Sequence, residues 1–505
     1  MSLSLSSTDE AGPVRHVQRQ LKARHLSMIA IGGCIGTGLF MASGAAIHNA
    51  GPGGALLAYA AVGLMVYFFM TSLGEMATHM PVSGSFSTYA ARFIDPSLGF
   101  ALGWNYWFNW VITVAADVAI AAVVVSYWQP LRELMPTWAW SLLFLAIIFA
   151  LNTASVRVYG ETEYWMALIK VVTVVVFLGI GTLTIFGIMG GAYLGLGNFT
   201  AGDAPFLGGS LGGQFLTTLG VFLVAGFSFQ GTELIGITAG ESQDPQKNIP
   251  RAIKQVFWRI LIFYILAIAV IGLIIPYSSP ELLGADVDEI SKSPFTLVFE
   301  RAGLAFGAAV MNAVILTSVL SAGNSGMYAS TRMLYAMGRG GLAWRIFGKV
   351  DARGVPMPSL LATAAVVLAV YALQLGNDQA YQYVLAASGL TGFIAWVGIA
   401  ASHYRFRRAW LAQGKSLADL KYRAKWFPVG PLLALLLCVL VIVGQDTQLV
   451  LHGDFDWERL LVTYMGIPVF LAFFTYHKLR YRTRLIALQE VEITKIGRAS
   501  CRERV

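Results

Sequence analysis

Ile29-Ala-Ile-Gly-Gly-Cys-Ile-Gly-Thr-Gly-Leu-Phe40 lies inside the first long apolar segment and puts four glycines where a membrane helix tolerates them worst. Glycine costs roughly 1 kcal/mol against alanine in a helix interior, and hydrocarbon offers no water to unpaired amides. The stretch therefore predicts a helix break at Gly36-Thr37-Gly38, stable only where it faces a cavity whose occupant supplies the missing partners. A small zwitterion fits. Its carboxylate would meet exposed N–H groups and the positive end of a helix dipole, and its ammonium the freed carbonyls. On this reading Cys34, Ile35, Gly36, Thr37 and Gly38 line a binding site.

Outward from that segment, 505 residues that are 56% hydrophobic and 12% charged, with mean hydropathy +0.65, describe a polytopic membrane protein. Twelve apolar runs have about the length that a bilayer core requires: 27–47, 54–74, 99–128, 138–156, 164–188, 214–240, 256–276, 304–331, 359–375, 382–403, 427–445 and 460–477. The first is longer than a signal-peptide core and lacks a cleavage-type end, so retention is expected. The net charge of +8 is distributed by loop. With the N-terminus inside, 27 Lys/Arg fall on the cytoplasmic side and four outside, which predicts both termini in the cytoplasm. That asymmetry explains the basic balance without a nucleic-acid partner. The three cysteines, Cys34, Cys438 and Cys501, are too scattered for a metal site or a disulfide framework. No nucleophile-and-base motif suggests an enzyme.

Several polar residues sit inside these runs. Tyr106, Trp110, Thr113 and Asp117 follow at i, i+4, i+7 and i+11, so one face of the third span carries two aromatics and an acid. An intramembrane aspartate must face protein or a cavity, which turns this face inward. The aromatics also suit a belt, and Asp117 also suits a structural acceptor. Lys170 lies roughly 10 Å inside the fifth span at 1.5 Å per residue. It either snorkels to the interface or carries a proton. In the sixth span Phe227-Ser-Phe-Gln-Gly-Thr-Glu233 is flanked by Gly226, Gly236 and Gly240 and predicts a second interrupted helix. Two interruptions five spans apart match a transporter with its site between two halves. Phe227, Ser228, Phe229, Gly231 and Glu233 then join the site, Glu233 being costly there unless paired or protonated.

Ser321, Asn324 and Ser325 place hydrogen-bonding groups in the eighth span, and Ser388-Gly-Leu-Thr-Gly392 repeats the small-polar theme in the tenth. Residues 75–96 read as an amphipathic stretch at the inner membrane surface. Glu241-Ser-Gln-Asp-Pro-Gln-Lys-Asn-Ile-Pro-Arg-Ala-Ile-Lys254 reads as a solvated connector. Outer-loop acids at Glu281, Asp286, Asp288, Glu289, Asp446, Asp454, Asp456 and Glu458 either draw cations or fill positions that topology denies to Lys and Arg. The domain map is a polar tail at 1–20 and a membrane domain at 21–477. The latter divides into halves at about 27–188 and 214–403 and further helices at about 427–477. A second tail follows at 478–495. Residues 496–505 resemble the in-frame translation of a sequencing-library adaptor.

Leu21-Lys-Ala-Arg-His-Leu-Ser-Met-Ile-Ala-Ile-Gly-Gly-Cys-Ile-Gly-Thr-Gly-Leu-Phe40, Gly74-Glu-Met-Ala with Pro81-Val-Ser-Gly-Ser-Phe86, Phe227 to Gly236, and Ser321-Ala-Gly-Asn-Ser-Gly-Met-Tyr-Ala-Ser-Thr-Arg-Met-Leu-Tyr335 resemble the amino acid transporter family of the amino acid–polyamine–organocation superfamily. The similarity runs from about residue 19 to 484. It implies an all-α LeuT-type fold, with a 5+5 inverted repeat and twelve transmembrane helices in a bacterial cytoplasmic membrane. It implies import of an L-amino acid, L-lysine in particular, with protons; no cofactor beyond the proton gradient is expected. The resemblance puts the substrate's α-groups on Gly36, Thr37 and Gly38 and on Phe227, Ser228, Phe229, Gly231 and Glu233. It puts Lys170 where sodium-coupled relatives bind the ion, and Lys170, Glu233, Ser321 and Asn324 are the candidates for proton coupling. Cys34 departs from the serine or other small residue of close relatives. A permease for another amino acid, or a membrane amino-acid sensor, shares the backbone features. Membrane lipid is the expected surrounding, and a regulatory membrane partner is not identifiable.

Overall fold

A computed structural model describes residues 17–33, 35–283, 293–376, 390–444 and 457–493. Segments this apolar must satisfy their own amides in hydrocarbon, and the described residues are predominantly helical. They contain no strand, only one bridge between Leu21 and Ser242. The first segment enters as α1 (Ala23–Gly32), resumes as α2 (Thr37–Phe40) and continues into α3 (Ser43–His79), which bends at Gly51. Next come α4 (Ser85–Phe93), α5 (Pro96–Val125), α6 (Thr137–Thr153) and α7 (Val156–Ile185). The sixth segment is split into α8 (Leu211–Gly220), α9 (Phe222–Ser228) and α10 (Leu234–Thr238). After it run α11 (Pro245–Ile274), α12 (Ala305–Arg339), α13 (Met357–Gly376), α14 (Thr391–Ala412), α15 (Val429–Val443) and α16 (Gly466–Tyr481).

Six of the described helices are long and apolar enough to cross a membrane, and two shorter apolar ones are α6 and α15. Helix occupies most of the described part of each of the twelve apolar segments. The most extensive helix pairing joins α12 to α5. Small residues explain it: a methyl on Gly326 would lie 2.6 Å from the Trp110 ring, and one on Gly323 would touch Asp117. α1 lies against α7 and α11, so the broken segment is enclosed by protein.

Two connectors differ from expectation. The amphipathic stretch does not simply rest on a surface; α4 buries Phe86, Tyr89, Ala90 and Phe93 and packs on α5 and α14. Glu241 to Lys254 is not a solvated connector. Glu241 is fully buried, and Ile249, Ala252, Ile253 and Val256 form a buried i, i+3, i+4, i+7 stripe that seats the start of α11. Aspartates 286, 288, 446, 454 and 456, with Glu289, Ser388 and Cys501, lie outside the described residues.

Both described ends of the chain meet the same end of the bundle. Leu21 N–H donates to Glu241 O at 3.0 Å, and the His79 ring pairs with Ile493 O at 2.8 Å. Residues 482–493 fold back over this end. There Ile486 N–H bonds Ile94 O at 2.9 Å and the Gln413 amide donates to Val491 O at 2.7 Å. Asp95 anchors the strap. It caps α5 through Ser97 N–H at 2.8 Å, accepts from Thr483 at 2.6 Å and pairs with Lys478. Burial alone would raise its carboxyl pKa. The Lys478 ammonium, the Thr483 hydroxyl and the Ser97 amide outweigh that and hold it below the usual aspartate value. A folded-state pKa below the unfolded one contributes stability that is full above the unfolded value and is lost as pH falls through the folded one. Asp95→Asn is therefore expected to lower the melting temperature at pH 7 by about 2 °C. Differential scanning fluorimetry from pH 7 to 3 is expected to show that gap closing on the acid side.

Candidate substrate site

The two glycine-rich interruptions meet. α1 stops at Gly32 and α2 begins at Thr37. α9 stops at Ser228 and α10 begins at Leu234. Gly231 takes φ +92°, a conformation that side chains rarely adopt, which turns the chain between α9 and α10. Gly38 approaches α9 so closely that a methyl there would lie 2.5 Å from Ser228 Cα. A methyl on Gly36 would meet the Ala322 methyl of α12 at 3.1 Å. Ile35 and Gly36 are buried; Cys34 and the Thr37 side chain lie outside the described residues.

The broken ends carry specific partners. At the carboxyl end of α1, Lys170 Nζ donates to Gly32 O at 3.1 Å and Arg259 donates to Ala30 O. Both cations sit where a helix dipole favours positive charge. Lys170 is fully buried rather than extended to an interface. At the end of α9 the Tyr264 hydroxyl donates to Ser228 O at 2.9 Å, and Tyr59 and Ser228 hydroxyls pair at 2.9 Å. Phe229 is buried and stacks on Tyr264 with centroids 4.1 Å apart. Phe227, only two residues away, is 37% exposed and stands apart from this buried group.

Glu233 is the chemical centre of the second break. It is 2% exposed. Its Oε1 accepts from the Tyr106 hydroxyl at 3.0 Å and from Gly231 N–H at 3.3 Å. Its Oε2 accepts from Trp396 Nε1 at 3.2 Å and from the Thr232 hydroxyl at 3.3 Å. All four donors are neutral, and among the described residues no Lys, Arg or His nitrogen pairs with it. Tyr106 and Trp110 are buried, ring to ring at 6.1 Å, so neither belongs to an interfacial belt. Asp117, also buried, lies farther along α5 against Gly323 of α12. Ser321 and Asn324 point elsewhere, to Glu163 of α7, at 2.8 and 2.5 Å.

Sequence reasoning missed Trp396, Glu163, Tyr59, Tyr264 and the Glu241 group. A lone tryptophan in the tenth span gave no positional signal, and Glu163 falls just outside the fifth apolar run, 164–188. Glu241 accepts from Arg332 Nε at 3.0 Å and from Tyr328, residues about ninety positions away.

Two membrane helices unwound against each other, with buried charge at both breaks, define the architecture of a membrane transporter built on discontinuous helices. The amino acid permease family profile matches residues 25–489. The lysine-specific permease LysP of Escherichia coli (strain K12) is 56% identical over 97% of this chain and 98% of its own length. The histidine permease HisP of Lactococcus lactis subsp. cremoris (strain MG1363) is 49% identical over 95% and 98%. The manganese transporter of Eremococcus coleocola aligns at TM-score 0.52 and 14% identity over 95% of this chain and 99% of that one, a likeness of fold. The chain belongs to the amino acid permease family.

The contact at Gly38 yields a graded prediction. Gly38→Ala forces α2 off α9 backbone and is expected to cut uptake by about a hundredfold, whereas Gly36→Ala needs only a small shift of Ala322 and is expected to cost less than tenfold. Initial uptake rates in proteoliposomes, normalised to inserted protein, check the order.

Proposed function

We propose that this protein imports L-lysine by proton symport with alternating access, in the cytoplasmic membrane of a bacterium, with both termini in the cytoplasm. The observation that carries this reading is Glu233: a buried carboxylate at the meeting of two broken helices, held by neutral donors and without a cation among the described residues. Charge in that setting is expensive unless a proton or a cationic guest accompanies it. The E. coli relative's lysine specificity agrees with a guest bearing a side-chain ammonium.

In the proposed cycle the outward-facing carrier, protonated at Glu233 or Lys170, receives lysine. The first amides of α2 hold its carboxylate, since a helix start leaves such groups unpaired, and the last carbonyls of α9 hold its α-ammonium. Tyr106, Trp110, Asp117, Phe227 and Phe229 shape the pocket. Ser321 and Asn324 belong to the coupling region through Glu163. Rocking inward releases substrate and proton together. Net positive charge enters, so the membrane potential assists at about 2.3 kcal/mol per charge per 100 mV. The proton gradient supplies the drive and no cofactor takes part. Surrounding lipid is the remaining partner.

A second reading, a permease for another amino acid, draws on the histidine permease relative. Proteoliposomes with an imposed pH gradient separate the two. Labelled lysine is expected to accumulate and to be displaced by unlabelled lysine in preference to arginine, histidine or a neutral amino acid; preferential displacement by histidine would favour the second. Glu233→Gln is expected to abolish accumulation, and full accumulation would remove Glu233 from the mechanism. Lys170→Met is expected to bind lysine without uphill uptake. Binding with no flux in the parent protein would instead indicate a sensor.

A further inference from the structure

Glu163 takes no part in the substrate cradle, yet it is among the most completely buried charged residues of the bundle, 1% exposed near the start of α7. Its Oε2 accepts from the Ser321 hydroxyl at 2.8 Å and its Oε1 from Asn324 Nδ2 at 2.5 Å. The Asn324 amide is oriented in turn, because its Oδ1 accepts from Asn152 Nδ2 at 2.8 Å. That leaves its nitrogen facing the carboxylate. Two donors aimed at one carboxyl group suit the ionised form, whose oxygens only accept. Among the described residues no cation lies within ion-pair distance of Glu163. Lys170 lies seven residues on, two turns along the same helix face. Its own Nζ rests on Gly32 O at the break of α1.

Of the other charged groups around α7, Arg157 in its first turn is exposed, and Arg301 of the helix Pro294–Arg301 that also packs on α7 bonds Ile274 O at 3.1 Å and Glu281 at 3.4 Å. On α7 itself Tyr159 stacks on Tyr328 at 4.0 Å, and Glu161 pairs with Arg24 and His25 of the α1 end. On α12, Arg332 and Tyr328 hold Glu241. On α11, Arg259 donates to Ala30 O. From α6 the group presented is the neutral amide of Asn152. Lys170 is thus the cation whose protonation answers to Glu163.

We propose that Glu163 is the fixed counter-charge of Lys170 and sets the pH at which that lysine takes up and gives up its coupling proton. This rests on the reading of Lys170 as a proton carrier. Glu163 is a positioning residue: it stays ionised through the cycle and acts through Lys170 without meeting substrate. The proton binds Lys170 Nζ from the outer side as –NH2 becomes –NH3+, and leaves Nζ to water on the inner side. Tied to α12 by Ser321 and Asn324, the carboxylate keeps its place while α1 and Lys170 part. A buried negative charge raises the affinity of a nearby amine for a proton, and its removal lowers it.

The test is lysine uptake by proteoliposomes as a function of external pH from 5 to 8.5. Glu163→Gln keeps the shape and loses the charge. Its uptake midpoint is expected about one pH unit more acidic than the parent's, with Glu163→Asp returning most of the way. A midpoint that overlays the parent's would overturn the proposal, as would a Glu163→Asp curve no closer to the parent than that of Glu163→Gln. Should Glu163→Gln fail to insert, Ser321→Ala carries the decision. Removing one donor is expected to move the midpoint in the same acid direction by about threefold in proton concentration, and no movement overturns the proposal. Lys170→Met in the same assay separates the two levels. If it loses pH-driven accumulation while Glu163→Gln keeps the parent midpoint, Glu163 is a structural tie and the coupling lysine stands. If it keeps pH-driven accumulation, the proton-carrier reading and this inference fall together.

Discussion

A backbone amide or carbonyl inside hydrocarbon must find a partner in the protein or in a guest, and every other feature of this chain answers to that constraint. Most of the bundle obeys it with continuous helix. One segment leaves helix after Gly32 and resumes it at Thr37, the other leaves it after Ser228 and resumes at Leu234, and the two press together at Gly38 and Ser228. The freed groups are not left to lipid. Lys170 and Arg259 take carbonyls of α1, and Tyr264 takes one of α9. These capping side chains come from α7 and α11, so the geometry of the breaks depends on how those helices pack.

Buried carboxylates sort by what holds them. Glu75 binds Arg407, with Ala424 N–H at 2.7 Å as a further donor, and Glu241 binds Arg332. Both are neutralised by a guanidinium, which makes them ties between distant segments; removing one partner of such a pair leaves a charge stranded. Glu233 and Glu163 are held instead by hydroxyl, indole and amide groups. These donors fix a carboxylate without cancelling its charge. The first group keeps one end of the bundle together, with the Leu21–Ser242 bridge beside Glu241. Of the second group, Glu233 sits at the break between α9 and α10, and Glu163 lies two turns before Lys170, which reaches the end of α1.

What was legible in the sequence follows the cost of each feature. Glycine clusters inside apolar runs are costly and therefore visible: the second break falls at Gly231, while the first comes earlier than expected, since Thr37 and Gly38 already open α2. The face of Tyr106 and Trp110 was visible because α5 is regular and its period holds. Inside the unwound segment periodicity fails: nothing in Phe227-Ser-Phe229 says that the second ring is the buried one. Trp396 and Glu163 were hidden for a different reason. Their roles come from partners 163 and 158 residues away, Glu233 and Ser321. Glu241 was misread because a carboxylate beside a charged loop looks solvated until Arg332 is placed against it.

The central claim is that the polar main chain of two unwound helices grips the transported amino acid. A cryo-electron microscopy structure of the full chain in nanodiscs with saturating L-lysine tests it most directly. The claim predicts density for the amino acid between the two breaks, its carboxylate within hydrogen-bond distance of the amides at 36–38 and its α-ammonium on carbonyls at 226–229. Lysine density held elsewhere, with continuous helix or protein packing filling the space between Gly36 and Gly231, would contradict it.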